Sequence, residues 1–117
     1  MLKEFKKIIE NNPLSLATVT ANHLPNLIVV AFVQVIDDQT LLITDNYMNQ
    51  TIKDLAHNQQ VCLLVYDKNW QGIKILGQAT YHNSGQWLKK VKADPHNEGL
   101  PAKGAILVKA EKIINLH

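Results

Sequence analysis

The sequence predicts an α+β fold in which a six-stranded antiparallel β-barrel carries short flanking helices. Apolar, β-branched runs recur along the chain and are separated by short turns rich in Asp, Asn, Gly and Pro. Three other segments have apolar residues at helical spacing. The longest run, residues 27–36, is apolar at both alternating sets of positions. Both of its faces must therefore be covered, one by a barrel interior and the other by an interface.

Length and composition favour one globular domain that spans residues 1–117. The chain is 46% hydrophobic and 19% charged, which excludes disordered and fibrous classes. A net charge of +2 gives no indication of nucleic-acid binding. All 12 basic residues are Lys. A bound phosphate must therefore be held without the bidentate contact that Arg provides.

The elements follow in order along the chain. An amphipathic helix is expected near residues 2–10, because Leu2, Phe5 and Ile9 share one side and Pro13 follows soon after. The predicted strands cover residues 14–21, 27–36, 40–44, 61–66, 73–82 and 105–114. Two further helices are expected, one starting near residues 49–51 and one around residues 87–91.

Cysteine and histidine usage indicates neither a disulfide nor a metal centre. Cys62 is expected to be a buried hydrophobic residue within the apolar run 61–65. A single cysteine forms no internal disulfide, which suits a reducing compartment. The N-terminus lacks the apolar core of a signal peptide, so we expect a cytoplasmic protein that does not enter a membrane. The five histidines lack metal-ligand spacing, and no catalytic set of side chains is visible.

One strand-to-helix connection has the chemistry of a phosphate site. A buried strand ends at Thr44, and a helix begins near residues 49–51. Helix N-termini carry unpaired N–H groups and a partial positive charge, which suits a phosphate. Thr51 could add a hydroxyl, Gln50 an amide and Lys53 a charge. The spacing alone favours the other interpretation, an ordinary helix cap.

The order of several short segments resembles the FMN-binding members of the pyridoxamine 5′-phosphate oxidase-like split-barrel family. These segments are Leu-Ala-Thr-Val at 16–19, Leu-Pro-Asn at 24–26, Ala-Phe-Val at 31–33, Leu-Ile-Thr-Asp-Asn at 42–46, Thr-Ile-Lys-Asp-Leu at 51–55, Ile-Leu-Gly-Gln-Ala at 75–79 and Lys-Gly-Ala-Ile-Leu-Val at 103–108. The resemblance covers nearly the whole chain. It implies a split barrel that holds FMN at the interface of a homodimer, and it favours the phosphate site over the cap.

The resemblance also implies roles for particular residues. The segment beside the isoalloxazine ring matches Val29, Val30, Ala31 and Phe32. The strand end that borders the ring and the ribityl chain matches Thr44, Asp45 and Asn46. The phosphate cradle matches Asn49, Gln50 and Thr51, with Lys53 nearby. The residues expected to approach from the partner chain are Trp70, Pro101 and Lys103.

One departure from the family pattern concerns the phosphate. Relatives often have Lys or Arg at the position of Gln50. Lys53, or Lys103 from the partner chain, would have to compensate, and Lys103 is the preferred candidate.

The resemblance implies a flavin-dependent oxidoreductase of unassigned substrate, because redox chemistry would belong to the flavin. The chain is shorter than full pyridoxamine 5′-phosphate oxidases and lacks Arg for their substrate phosphate. Two alternatives remain open. One is a non-catalytic binding module for flavin, haem or another planar ligand, and the other is a structural dimer with an empty site. A deazaflavin in place of FMN is a further possibility that the sequence leaves open.

Overall fold

The computed structural model describes residues 1–116 and contains seven β-strands and three α-helices. The strands are β1 (Leu14–Val19), β2 (Pro25–Val30), β3 (Val33–Asp37), β4 (Thr40–Asp45), β5 (Gln60–Tyr66), β6 (Gly72–His82) and β7 (Gly104–Asn115). The helices are α1 (Lys6–Asn11), α2 (Gln50–His57) and α3 (Gly85–Lys92), with 3-10 turns at Leu2–Phe5 and Pro95–Asn97. The predicted α+β class is confirmed.

All strands join one antiparallel sheet in the order β2-β1-β5-β6-β7-β4-β3. The prediction of six strands was wrong, because the run 27–36 divides at Ala31 and Phe32. The expected closure of the barrel is also absent, since β2 and β3 lie at opposite ends of the sheet order. The Phe32 carbonyl accepts a hydrogen bond from Thr44 N at 3.1 Å. This contact lies where the chain leaves β2 and enters β3, which pairs with β4.

Alternation along the strands places the main core on the inner side of the sheet. Leu14 and Leu16 of β1 are buried there, whereas Ser15 and Ala17 point outward. Ile9 of α1 joins the same core. A second, smaller cluster forms where α3 packs beside β4 and β7, with Val91 buried and Trp87 packed against it.

The outer side of β2, β1, β5 and β6 presents a second apolar surface. We call it the outer apolar face; its residues are Ala17, Leu27, Val29, Cys62, Leu64 and Leu76. Leu27 and Val29 are 68% and 69% exposed. Cys62 is only half-buried, so its predicted burial was wrong. It lies between Val61 and Leu63, which point into the core, and alternation therefore turns it outward.

Residues 1–116 contain neither a candidate membrane helix nor a candidate metal-binding cluster. No helix there is long and apolar enough to cross a membrane. No group of three or more His, Cys, Asp or Glu side chains is arranged to hold a metal ion in the same residues.

Candidate functional site

A cleft of about 370 Å³ lies between the end of β2, the end of β4 and the start of α2. We call it the β2–α2 cleft. Its lining brings together many of the residues that the sequence nominated, namely Val29, Val30, Ala31, Phe32, Thr44, Asn46, Asn49, Gln50 and Thr51. Ile28, Tyr47 and Met48 complete the lining. The volume falls within the range of about 300–1,000 Å³ that is usual for small-molecule sites.

Thr44, the penultimate residue of β4, is the most unusual polar group in the cleft. Its side chain is buried, with 6% of the residue exposed. Within residues 1–116, its hydroxyl oxygen is the one buried side-chain N or O atom that lacks a hydrogen-bond partner. A buried unpaired hydroxyl costs about 1–3 kcal/mol. A ligand with a donor or acceptor at this point of the cleft would remove that cost.

A buried polar network lies beneath the start of α2. The Asp54 carboxylate is fully buried and accepts hydrogen bonds from the Thr18 hydroxyl at 2.6 Å and from Gln50 Nε2 at 2.8 Å. Asn26 Nδ2 donates to both Thr18 and Thr51, each at 3.2 Å. The Gln50 amide proposed for a phosphate is therefore already bound to Asp54.

A second buried carboxylate holds the loop that forms the cleft wall after β4. Asp45 accepts hydrogen bonds from the Tyr81 hydroxyl at 2.6 Å and from Met48 N at 2.7 Å. Lys103 lies on the other side, with its Nζ 3.8 Å from Asp45 Oδ2 and donating to the Met48 carbonyl. These contacts fix the backbone of Met48, which lines the cleft.

Tyr81 occupies its position because Gly104 has no side chain. A Cβ at Gly104 would lie 2.0 Å from the Tyr81 hydroxyl oxygen. Burial, together with the hydrogen bond to Asp45 and its charge, holds the pKa of Tyr81 well above its ordinary value. The phenol therefore remains a proton donor to Asp45 over the physiological pH range.

An amide pair ties the same loop to the segment before β7. Asn46 Nδ2 donates to Asn97 Oδ1 at 2.8 Å, and Asn97 Nδ2 donates to Asn46 Oδ1 at 3.0 Å. The Asn46 oxygen also accepts from Ala102 N at 2.9 Å. The loop after β4 is thus fixed by part-buried hydrogen bonds to the segment before β7.

Five nominated residues lie outside the cleft lining: Asp45, Lys53, Trp70, Pro101 and Lys103. Asp45 supports the wall from behind, and Lys103 contacts it within the same chain. Lys53 and Pro101 are exposed. Trp70 is 77% exposed in the turn between β5 and β6, where its ring packs edge-on against Tyr66 with centroids 5.7 Å apart. An approach of Trp70, Pro101 or Lys103 from a second chain stays a prediction.

Sequence reasoning assigned no role to Asn26, Asp54, Tyr81 and Asn97, although these residues hold the cleft together. Asn26 and Asp54 do fall within segments that carried the family resemblance. Their pairing is between distant parts of the chain, so spacing gave no signal for it.

A larger groove of about 770 Å³ lies beside α1 and β3 and shares Ala31 and Phe32 with the cleft. Its charged side chains include Lys6 and Glu10, which pair at 2.8 Å. Glu10 also has a structural role, because its Oε2 accepts a hydrogen bond from Val35 N of β3 at 2.8 Å. None of its lining atoms is a buried polar group without a partner in residues 1–116. The smaller β2–α2 cleft is therefore the better candidate site.

The family model for pyridoxamine 5′-phosphate oxidase matches residues 1–117. The chain belongs to this family. An uncharacterized protein of Methanocaldococcus jannaschii is 29% identical over 120 residues, covering 99% of this chain and 80% of the relative. The crystal structure of HupZ from Group A Streptococcus is 25% identical, with a TM-score of 0.88 over 99% of this chain and 94% of that chain.

An FMN-binding protein from Syntrophomonas wolfei shares the fold at lower identity. The two chains are 18% identical with a TM-score of 0.74, over 99% of this chain and 91% of the other. The predicted family and its split-barrel architecture are confirmed, with an open seven-stranded sheet.

Proposed function

We propose that this protein binds a flavin, FMN, in the β2–α2 cleft and acts as a homodimer in flavin-dependent oxidation and reduction of a substrate that is not yet assigned. The observation that carries the proposal is the buried, unpaired hydroxyl of Thr44 inside a largely apolar cleft. Membership of the family and the likeness to an FMN-binding protein support the choice of ligand.

The lining residues divide between the ring end and the phosphate end of such a ligand. Val30, Ala31 and Phe32 offer apolar surface and backbone groups to the isoalloxazine ring, and Thr44 offers a hydroxyl to its polar edge. Asn49, Gln50 and Thr51 would meet the ribityl phosphate end. The flavin would supply electron transfer with the substrate, and this chain would bind it, orient it and limit its exposure to water.

The outer apolar face supports the homodimer. Leu27 and Val29 are largely exposed, and a second copy would cover them. Val29 belongs both to this face and to the lining of the cleft. A partner seated on the face would therefore also narrow the cleft, as expected for a flavin at the interface. We place the dimer in the cytoplasm, in keeping with a single unpaired cysteine.

The deciding experiment is a titration of the purified, flavin-free protein with FMN, followed by visible absorption and by quenching of flavin fluorescence. We expect saturable binding with one flavin per chain. Ala31→Phe should block binding because Ala31 lines the cleft, whereas Ala93→Phe, at an exposed position beyond α3, should not. Absence of FMN binding by the unaltered protein would overturn the proposal and leave the empty site or another planar ligand, such as haem, as the explanation.

A further inference from the structure

Among residues 1–116, the lining of the β2–α2 cleft contains no charged side chain. Its polar members are amides and hydroxyls, namely Thr44, Asn46, Tyr47, Asn49, Gln50 and Thr51. A phosphate that leaves water for a protein site is normally met by Lys, Arg or a metal ion. This cleft offers it only neutral donors and the N-terminus of α2.

The lysines nominated for the phosphate are directed elsewhere in this chain. Lys103 contacts the Met48 carbonyl and lies near the Asp45 carboxylate. Lys53 is exposed on α2 and is not part of the lining. Neither supplies a cation to the cleft within its own chain.

A buried acidic residue, Asp54, lies beneath the start of α2. It is one turn into the helix and three residues beyond Thr51, the last residue proposed for the phosphate cradle. It accepts hydrogen bonds from Thr18 and Gln50, so one N–H of the Gln50 amide is already used. An acidic side chain at this place supplies no cation for a phosphate.

We propose that the cleft recognises the ring and hydroxyl groups of a flavin and gains little from the phosphate. The ligand class is therefore flavins irrespective of a terminal phosphate, and riboflavin should bind about as tightly as FMN. The proposal rests on the proposed function, because it assumes that the cleft holds a flavin. Asp54, with the Gln50 amide that it binds, is the specificity-determining feature.

The test measures dissociation constants for FMN and riboflavin by fluorescence quenching on the unaltered protein and on three variants. For the unaltered protein we expect the two constants to agree within about threefold. Asn49→Lys places a cation in the cleft at a side chain that makes no capping hydrogen bond. It should tighten FMN about tenfold and change riboflavin affinity much less.

Ser84→Lys is the matched control, because Ser84 is also an exposed helix N-cap without a capping hydrogen bond, on α3. It should change neither constant. Asp54→Asn should lower the dissociation constant for FMN more than that for riboflavin. If Asp54→Asn does not fold, the test rests on Asn49→Lys. FMN binding more than about threefold tighter than riboflavin by the unaltered protein would overturn this proposal alone. Binding of neither flavin would overturn the proposed function as well.

Discussion

Replacing Thr44 by Val should stabilise the flavin-free protein. The Thr44 hydroxyl is buried and has no partner in residues 1–116, whereas Val has nearly the same shape and no polar atom. Removing a buried unsatisfied hydroxyl recovers its desolvation cost of about 1–3 kcal/mol. We therefore expect a gain of about 1–2 kcal/mol in the free energy of unfolding.

The same substitution should weaken flavin binding. The hydroxyl would meet the polar edge of the flavin, and a single neutral hydrogen bond contributes about 1 kcal/mol, or about fivefold in the dissociation constant. One change therefore produces effects of opposite sign on stability and on binding. Replacing a group with a purely structural role would lower both stability and flavin affinity.

The assay is thermal and urea unfolding of flavin-free protein, followed by FMN titration. For a chain of 117 residues, about 1 kcal/mol corresponds to about 4 °C in Tm. Thr18→Val is the control, since Thr18 is equally buried but donates to Asp54 at 2.6 Å. It should destabilise the protein by about 1–3 kcal/mol. If Thr44→Val proves as destabilising as Thr18→Val, the Thr44 hydroxyl has a hydrogen-bond partner and the expected gain in stability is refuted.

Three further predictions concern the cleft wall and the outer apolar face. Tyr81→Phe should flatten the loss of stability above about pH 10. Because the pKa of Tyr81 is raised in the folded state, the folded protein keeps a proton that the unfolded chain releases, and stability falls as pH rises. If the urea midpoints of Tyr81→Phe fall at alkaline pH as steeply as those of the unaltered protein, the prediction is wrong. Gly104→Ala should cost about 1–3 kcal/mol, because the new Cβ would overlap the Tyr81 hydroxyl; wild-type urea stability would count against it. Leu27→Glu should convert the proposed dimer to monomer in light scattering, whereas Leu24→Glu, at an exposed residue just before β2, should have a smaller effect; a dimer that persists in Leu27→Glu would exclude Leu27 from the proposed interface.

Local patterns in the sequence were sufficient for most of the secondary structure. Alternating burial along β1 and the predicted start of α2 near Gln50 both follow from side-chain periodicity. Cys62 shows the limit of this reasoning. Its apolar neighbours Val61 and Leu63 suggested burial, yet alternation turned Cys62 to the opposite side of the sheet.

The hydrogen-bonded pairs that support the cleft could not be predicted from the sequence, for a different reason. Asp54 and Thr18 are 36 positions apart, and so are Tyr81 and Asp45. A separation of this length in the sequence matches neither the helix period nor the strand period, so a single sequence does not reveal the pairs. Those pairs depend on which strands become neighbours, and the order of strands in the sheet is not a local property.

The break between β2 and β3 explains why the site and the main error of the strand prediction coincide. Residues 27–36 contain no Gly or Pro, so nothing in the pattern marked an interruption. The chain nevertheless passes from one end of the sheet order to the other across only Ala31 and Phe32. In a continuous strand, the backbone N–H and C=O groups would form hydrogen bonds with the neighbouring strands. At this break Ala31 is exposed instead, and it lines the cleft together with Thr44, whose hydroxyl is unpaired. The same two residues at which the predicted strand divides therefore line the candidate cleft.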